Sequence, residues 1–154
     1  MQRIIYELLE VVQEYNEKMS AIPNDQFSAK PLPTKWSKIE VLGHLIDSAQ
    51  NNLRRFICGQ YESPPALISY DQDFWVAANQ YSDTTKEDMI QLWTLLNQRI
   101  VSVLKGMPVD AYEKYCPIIT GGHQTLQWFA ADYVKHLKHH LNQILPASFN
   151  ITYP

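Results

Sequence analysis

Apolar side chains recur at steps of three and four residues in four separate stretches of this chain. Such spacing places them on one face of an α-helix. The four stripes predict helices over residues 2–21, 37–59, 84–106 and 125–145. No stretch shows the clear alternation of apolar and polar residues that is typical of a strand. The pattern therefore predicts an all-α fold, a four-helix bundle.

Polar residues at the helix starts support these bounds. Ser37 with Glu40, and Thr84 with Glu87, have the spacing of a capping box, in which two side chains bond the free amides of a first turn. Thr125 is the predicted N-cap of the fourth helix. Each connection between the helices is longer than ten residues. Consecutive helices therefore need not be antiparallel neighbours, and we expect a topology other than simple up-down-up-down.

The connection over residues 60–83 is unusually long for a compact domain. It contains the aromatic and acidic run Asp73-Phe74-Trp75, and we expect a short helix through Asn79. Long connections are uncommon unless they have a function, such as covering a site. The alternative is a segment that only caps the hydrophobic core.

Composition limits the classes of partner and the compartment. The 154 residues make one domain, 1–154, and the formal charge of −3 comes without any run of like charges. We therefore expect no nucleic-acid partner, and no apolar run is long enough to predict a membrane partner. Cys58 and Cys116 belong to no CxxC motif, which favours free thiols in the cytoplasm, with a disulfide between them as the alternative. The sequence does not determine the oligomeric state, and a homodimer is one possibility.

Two histidines in the fourth helix are the first candidates for chemistry. His136 and His140 are four residues apart, so they lie one turn apart on one face, at or inside the apolar stripe. Buried imidazoles need partners, and a divalent metal is one solution while carbonyls or carboxylates are another. Leu137 stands where the glutamate of an HExxH zinc-protease motif would be. A third ligand must therefore come from elsewhere.

His44 is the best candidate for that third ligand. It lies about 10 Å from the start of the second helix, and His140 lies about 8 Å from the end of the fourth. If helices two and four are antiparallel, the three histidines lie at the same height along the bundle axis, whereas parallel packing offsets them by about 9 Å. His44 shares a polar helix face with Asp47 and Ser48. That face is either solvated or lines a cleft between the two helices.

Several motifs together resemble one known family. They are Pro33-Thr34-Lys35-Trp36-Ser37, then Leu42-Gly43-His44-Leu45-Ile46-Asp47, then Asp73-Phe74-Trp75, then Tyr133 to Ile144 with its ending His140-Leu141-Asn142-Gln143-Ile144. Their order and separation resemble the DinB/YfiT-like superfamily of proposed metalloenzymes over nearly the whole chain. Asn142 departs from those relatives that have glycine there.

The resemblance implies a four-helix bundle of unusual connectivity with a three-histidine metal site. By position the ligands would be His44, His136 and His140. The resemblance assigns no role to His123 or His139. Three imidazoles and an open position are typical of catalytic rather than structural zinc. Zinc is the expected metal, and nickel, iron or manganese stay open because ligand type discriminates poorly between them.

The resemblance also implies the kind of activity. Relatives include transferases and isomerases that use low-molecular-weight thiols, and proteins proposed to be metal-dependent hydrolases. We therefore expect a thiol S-transferase or hydrolase that acts on a small molecule. The alternative is a non-catalytic, stress-associated helical protein that binds metal. Candidates for orienting the histidine ligands are Asp47, Asp132 and Gln143.

Asn51 and Arg55 are the candidate substrate-binding residues. They follow His44 along one line of the second helix, and Arg55 is about 16 Å from His44 along the axis. An arginine there suits a carboxylate at the far end of an extended thiol. The other interpretation is an ordinary solvent-exposed face.

Overall fold

The computed structural model describes residues 1–153 and contains four long helices where the apolar stripes predict them. These are α1 (Gln2–Ser20), α3 (Lys38–Cys58), α5 (Lys86–Gly106) and α6 (Leu126–Ile144). The shorter elements are α2 (Asn24–Ser28), α4 (Gln72–Asn79), β1 (Tyr115–Pro117), β2 (His123–Thr125) and the 3₁₀ turns Tyr81–Asp83 and Val109–Glu113. The predicted all-α bundle is confirmed.

The predicted caps of α3 and α6 are present. The Ser37 hydroxyl accepts from the Glu40 amide at 3.4 Å, and the Glu40 carboxylate accepts from the Ser37 amide at 2.8 Å. This reciprocal pair satisfies amides that the first turn leaves without helical partners. Thr125 caps α6 by accepting from the Trp128 amide. Both caps lie at the start of a helix that carries site histidines.

The predicted cap of α5 is one residue too early. The N-cap is Thr85, whose hydroxyl accepts from the Asp88 amide at 3.2 Å. Thr84 instead donates its amide to the Tyr81 carbonyl at 3.1 Å and closes the preceding 3₁₀ turn. Both threonines have an acidic residue three positions later, so the local pattern fits either. The turn before the helix decides between them.

Two elements in the connections were not predicted from the sequence. The five-residue helix α2 and the antiparallel hairpin of β1 and β2 have no expected counterpart. Gly121 and Gly122 lie in the turn before β2 and adopt φ of 89° and 92°, which favour glycine. Strands of three residues are too short to show alternation. The short helix through Asn79 is present as α4.

Helices α3 and α6 pack against each other and run antiparallel. Lys38, at the start of α3, donates to the carbonyl of Ile144, at the end of α6. Toward the other end, the Arg55 guanidinium lies 4.3 Å from the centroid of the Phe129 ring. The predicted relation between the second and fourth helices is therefore confirmed.

The other contacts complete an up-down-down-up arrangement. Both α1 and α3 pack against α5 and α6, so α1 and α3 lie on a diagonal of the bundle. Asn16 donates to Thr94 at 2.8 Å, while Lys86 reaches the carbonyl of Ser20, so α1 and α5 are antiparallel. The amino group of Met1 donates to the α6 residue Gln127, so α1 and α6 run the same way. None of residues 1–153 belongs to a helix long and apolar enough to cross a membrane.

The core between the helices is large and almost entirely apolar. Its largest fully buried side chains include Trp93, Tyr15, Phe27 and Phe56. Burying one such side chain stabilises the fold by roughly 1.5–3 kcal/mol. Among residues 1–153, six polar or charged residues are nevertheless buried: Ser37, His44, Asp47, Ser48, Lys86 and Asn97. Three of them, His44, Asp47 and Ser48, lie in one five-residue stretch of α3, and their surroundings define the site.

Candidate metal centre

His44, His136 and His140 lie together between α3 and α6. One ring nitrogen of each lies within 4.8 Å of those of the other two. The Nε2 atoms of His44 and His136 are 3.2 Å apart, and the His140 ring centroid is 4.5 Å from that of His44. The antiparallel packing of α3 and α6 produces this convergence, because it brings the three histidines to the same height along the bundle.

The donor set fits a divalent metal. Nitrogens bonded to zinc at about 2.1 Å lie about 3.4 Å apart in a tetrahedron, close to the 3.2 Å between the Nε2 atoms of His44 and His136. The third nitrogen needs a small ring rotation, since the set spans up to 4.8 Å. A hydrogen bond between two imidazoles would serve only that pair. One cation can bind all three.

Burial keeps all three imidazoles uncharged. Desolvation, with the repulsion of His140, lowers the pKa of His44 to about 3. Desolvation and the neighbouring histidines lower the pKa of His136 to about 2. Desolvation lowers the pKa of His140 to about 4 although a hydrogen bond to Gln143 opposes it. Near neutral pH each ring therefore has a lone pair for a metal.

The groups that orient the rings differ between the three histidines. Nδ1 of His140 lies 3.2 Å from Oε1 of Gln143, and with a proton on Nδ1 this contact directs Nε2 at the site. Nδ1 of His136 lies 3.4 Å from the Ser48 hydroxyl. Nδ1 of His44 is buried without a hydrogen-bond partner in the described part of the chain. Of the three expected orienting residues, only Gln143 hydrogen-bonds a site histidine.

The other two expected orienting residues bind tyrosines instead. Asp47 accepts from the hydroxyl of Tyr81 at 2.6 Å and from Nδ2 of Asn79 at 3.2 Å. Burial raises the pKa of Asp47 to about 6, although the Tyr81 bond lowers it. Asp132 accepts from the hydroxyl of Tyr153 at 3.2 Å. Asp47 therefore fastens the long connection over residues 60–83 to the helix that carries His44.

The polar face of α3 is buried rather than solvated. His44 is 2% exposed, Asp47 0% and Ser48 3%. Helix α6 covers it on the histidine side, and the connection with Tyr81 covers it on the Asp47 side. The solvated-face interpretation of these residues is therefore wrong. A helical wheel shows which residues share a face, but not that two other elements cover it.

A cleft of about 760 Å³ opens at His140, one of the three histidines. Its wall includes His140 and Gln143 from α6, together with the loop before α3 and the start of α4. Trp36, in that loop, also packs against the His44 ring with a centroid distance of 5.2 Å. The sequence does not predict this position of Trp36, because loop residues have no period from which the direction of a side chain can be inferred.

The sequence of this chain matches a model of the DinB superfamily over residues 7–144. The chain belongs to the DinB superfamily. A search of curated protein sequences finds no match.

Solved structures share the DinB superfamily fold of this chain. YfiT from Bacillus subtilis, described as a probable metal-dependent hydrolase with an unusual four-helix bundle topology, has a TM-score of 0.83 at 23% identity. The match covers 93% of this chain and 82% of YfiT. At this level of identity the likeness shows the fold.

A mycothiol-dependent maleylpyruvate isomerase has the same fold over a part of its length. It matches with a TM-score of 0.72 at 13% identity, covering 98% of this chain and 62% of the isomerase. A histidine-to-alanine mutant matches with a TM-score of 0.74 at 11% identity, covering 91% of this chain and 59% of the mutant. This DinB superfamily member thus spans less than two thirds of the isomerase.

The two predicted substrate residues of this DinB superfamily member lie elsewhere on α3. Arg55 donates to the side chain of Asn52 at 2.6 Å and to the carbonyl of Ile68 at 3.0 Å. Asn51 donates to the backbone carbonyl of Asp47. Neither Asn51 nor Arg55 is part of the wall of the cleft at His140.

The remaining two histidines lie outside the cluster. His139 packs against Tyr153, at a centroid distance of 5.5 Å, and its ring lies 4.9 Å from that of His140. His123 is exposed at the start of β2. Neither provides a nitrogen to the group formed by the other three.

Proposed function

We propose that this chain is a metal-dependent enzyme in which His44, His136 and His140 bind a divalent metal. The reaction is thiol S-transfer or hydrolysis of a small molecule. One observation carries the proposal: three uncharged, largely buried imidazoles converge from two helices beside a cleft. A structural zinc site has four protein ligands, whereas three leave a position for water or substrate.

The bound metal would supply Lewis acidity, which lowers the pKa of a bound water or thiol. The residues of the chain supply the rest. Burial holds the ligands deprotonated, and Gln143 directs one ring toward the site. The side chains of Trp36 and Val41 give the wall of the cleft apolar surface. Zinc is the metal we propose, and nickel, iron and manganese also bind imidazole.

The relatives support both reaction classes. YfiT is described as a probable metal-dependent hydrolase, and the isomerase depends on mycothiol. A low-molecular-weight thiol is therefore the partner we propose. Both cysteines are free, and we propose a cytoplasmic location on that basis. A homodimer is part of this proposal, and light scattering at several protein concentrations tests it.

The test begins with elemental analysis of untagged protein after dialysis. We expect about one metal ion per chain, since each chain has one three-histidine set. The metal-loaded protein is then assayed with electrophiles in the presence of thiols, and with activated esters. Metal-dependent turnover of either substrate class supports the proposal that the chain is an enzyme. Metal binding without turnover favours the non-catalytic, stress-associated alternative, and a folded protein that binds no metal overturns both.

A further inference from the structure

Three lysines line the cleft beside the proposed metal site. Lys30, Lys35 and Lys38 all lie in its wall, and the carboxylate of Asp73 lies there too. They fall within nine consecutive residues, although the whole chain has a formal charge of −3. Positive charge is thus concentrated at a cleft that reaches the site histidine His140.

The three ammonium groups differ in whether they already have a hydrogen-bond or ion-pair partner. Lys30 pairs with Glu40 at 2.8 Å, and Lys38 donates to the carbonyl of Ile144. Within residues 1–153, Lys35 has neither a carboxylate within 4.0 Å nor a side-chain hydrogen bond. Lys35 can therefore bind a ligand without first losing a partner.

The rest of the wall indicates the body of that ligand. Trp36, Val41, Pro31 and Pro146 give the cleft apolar surface. Clefts of this kind bind small molecules through apolar contact, and a few polar groups determine which ligand fits. A cluster of like charges at a concave surface concentrates ligands of opposite charge.

We propose that the substrate is an anionic small molecule whose carboxylate or phosphate is bound by Lys35, with Lys30 and Lys38 adding to the positive field. Its apolar part contacts Trp36, and its reacting end reaches the histidines through His140. The position of the reacting end rests on the proposed function. The preference for an anion rests on the lysines alone.

The first experiment uses protein loaded with cobalt(II), because a thiol that binds the metal changes the cobalt absorption spectrum. Three small thiols carry different charges: mercaptosuccinate is anionic, 2-mercaptoethanol is neutral and cysteamine is cationic. Because the carboxylates of mercaptosuccinate can also bind cobalt directly, the contribution of the lysine is taken from the comparison with Lys35→Gln. We expect mercaptosuccinate to bind at least about tenfold more tightly than 2-mercaptoethanol, the factor that one charged hydrogen bond provides. Cysteamine should bind most weakly. Raising the ionic strength should reduce the preference for the anion.

Lys35→Gln removes the ammonium group without shortening the side chain much. This variant should bind mercaptosuccinate about tenfold more weakly and 2-mercaptoethanol unchanged. Lys105→Gln is the matched control, since Lys105 is exposed near the end of α5 and lies outside the cleft wall. It changes the net charge equally and should alter neither affinity. Equal affinity of wild type for all three thiols overturns the proposal while leaving the metal site in place.

A metal-free experiment keeps the two proposals distinguishable. Succinate and inorganic phosphate are titrated into the apoprotein, and the indole N–H resonance of Trp36 reports binding. A shift with either anion that Lys35→Gln removes supports the anion site, even if cobalt does not bind, and the stronger anion identifies carboxylate or phosphate. If neither anion shifts the resonance and the thiols show no charge preference, the proposal is wrong.

Discussion

At the residue scale, the site depends on imidazoles that the fold holds away from water. His44 is almost fully buried, and its Nδ1 has no hydrogen-bond partner among the described residues. A buried polar group without a partner costs about 1–3 kcal/mol. A group that costs stability must be retained for another reason, and metal binding by the opposite nitrogen is the reason we infer.

The first prediction separates the five histidines. Replacing His44, His136 or His140 by alanine should weaken metal binding by more than about tenfold, because each removes a ligand. His139→Ala and His123→Ala are the matched controls and should keep wild-type metal content. Elemental analysis after dialysis against a weak chelator measures the difference, with circular dichroism to confirm folding. Loss of metal in His139→Ala with retention in His140→Ala would contradict the assignment.

The second prediction concerns Arg55, which contacts other parts of the fold. Its bonds to Asn52 and to the Ile68 carbonyl fasten α3 to the connection that follows it. Arg55→Ala should lower the free energy of unfolding by about 1–3 kcal/mol, as expected for charged hydrogen bonds. The exposed neighbour Arg54 is the control, and Arg54→Ala should change stability by about 0.5 kcal/mol or less. Urea denaturation gives both values.

The same Arg55 variant tests the role of a substrate anchor. If Arg55 binds a carboxylate of the substrate, the KM for an acidic thiol rises while metal content stays at the wild-type level. A KM unchanged by Arg55→Ala and raised by Lys35→Gln would place the anion at the cleft instead. The two positions are thus separated by one pair of kinetic measurements.

At the element scale, the long connection packs tightly against α3 beside the site. A Cβ atom built on Gly43 would lie 2.0 Å from the ring of Tyr81. Glycine at this helical position therefore allows the ring to approach the backbone and its hydroxyl to reach Asp47. The helix accepts a residue of low helix propensity next to His44 because the contact requires it.

The third prediction follows from this contact. Gly43→Ala should displace Tyr81 and lower the free energy of unfolding by about 2–3 kcal/mol, through overpacking and the loss of the bond to Asp47. Gly106→Ala is the control, since its Cβ would meet nothing within 4 Å. That change should be neutral or stabilise by up to about 1 kcal/mol. Equal unfolding midpoints for Gly43→Ala and wild type would contradict the packing.

At the scale of the whole molecule, the helix directions bring the histidines to one level. Helices α3 and α6 are adjacent and antiparallel, although α5 lies between them in the chain. This is possible because α3 and α5 run parallel, so the long connection over residues 60–83 returns along the bundle before α5 begins. Burial at this interface couples the charge of the site to the stability of the entire fold.

The fourth prediction is a loss of stability of the apoprotein on acidification. The pKa values of His44, His136 and His140 lie near 3, 2 and 4 in the fold, against about 6.5 in the unfolded chain. Below pH 6.5 the unfolded state therefore binds more protons, and stability falls as the pH decreases toward 4. The raised pKa of Asp47, about 6, opposes this because the folded state takes up its proton first. The three histidines outweigh it.

Thermal unfolding of chelator-treated protein between pH 7.5 and pH 4.5 measures this effect. The midpoint should fall steadily below pH 6.5 in wild type and less steeply in His136→Gln, which has one buried imidazole fewer. A midpoint that stays constant or rises on acidification would contradict burial of uncharged histidines.

The sequence by itself determined the four long helices and the candidate ligands. A helix of about twenty residues shows several turns of apolar period, so its existence and bounds follow from local pattern. The Ser37 and Thr125 caps follow for the same reason, because a cap depends on residues within one turn. The spacing of His136 and His140 places both on one side of α6, and family resemblance adds His44.

Only the tertiary structure decided what surrounds those residues. The face of α3 with His44, Asp47 and Ser48 is polar by pattern, yet two elements distant in sequence bury it. The hairpin before α6 and the cleft wall before α3 consist of segments too short or too irregular to have a period. Their side chains acquire a direction only when the bundle packs around them. Local spacing therefore predicts which residues can act together, and long-range packing decides what they face.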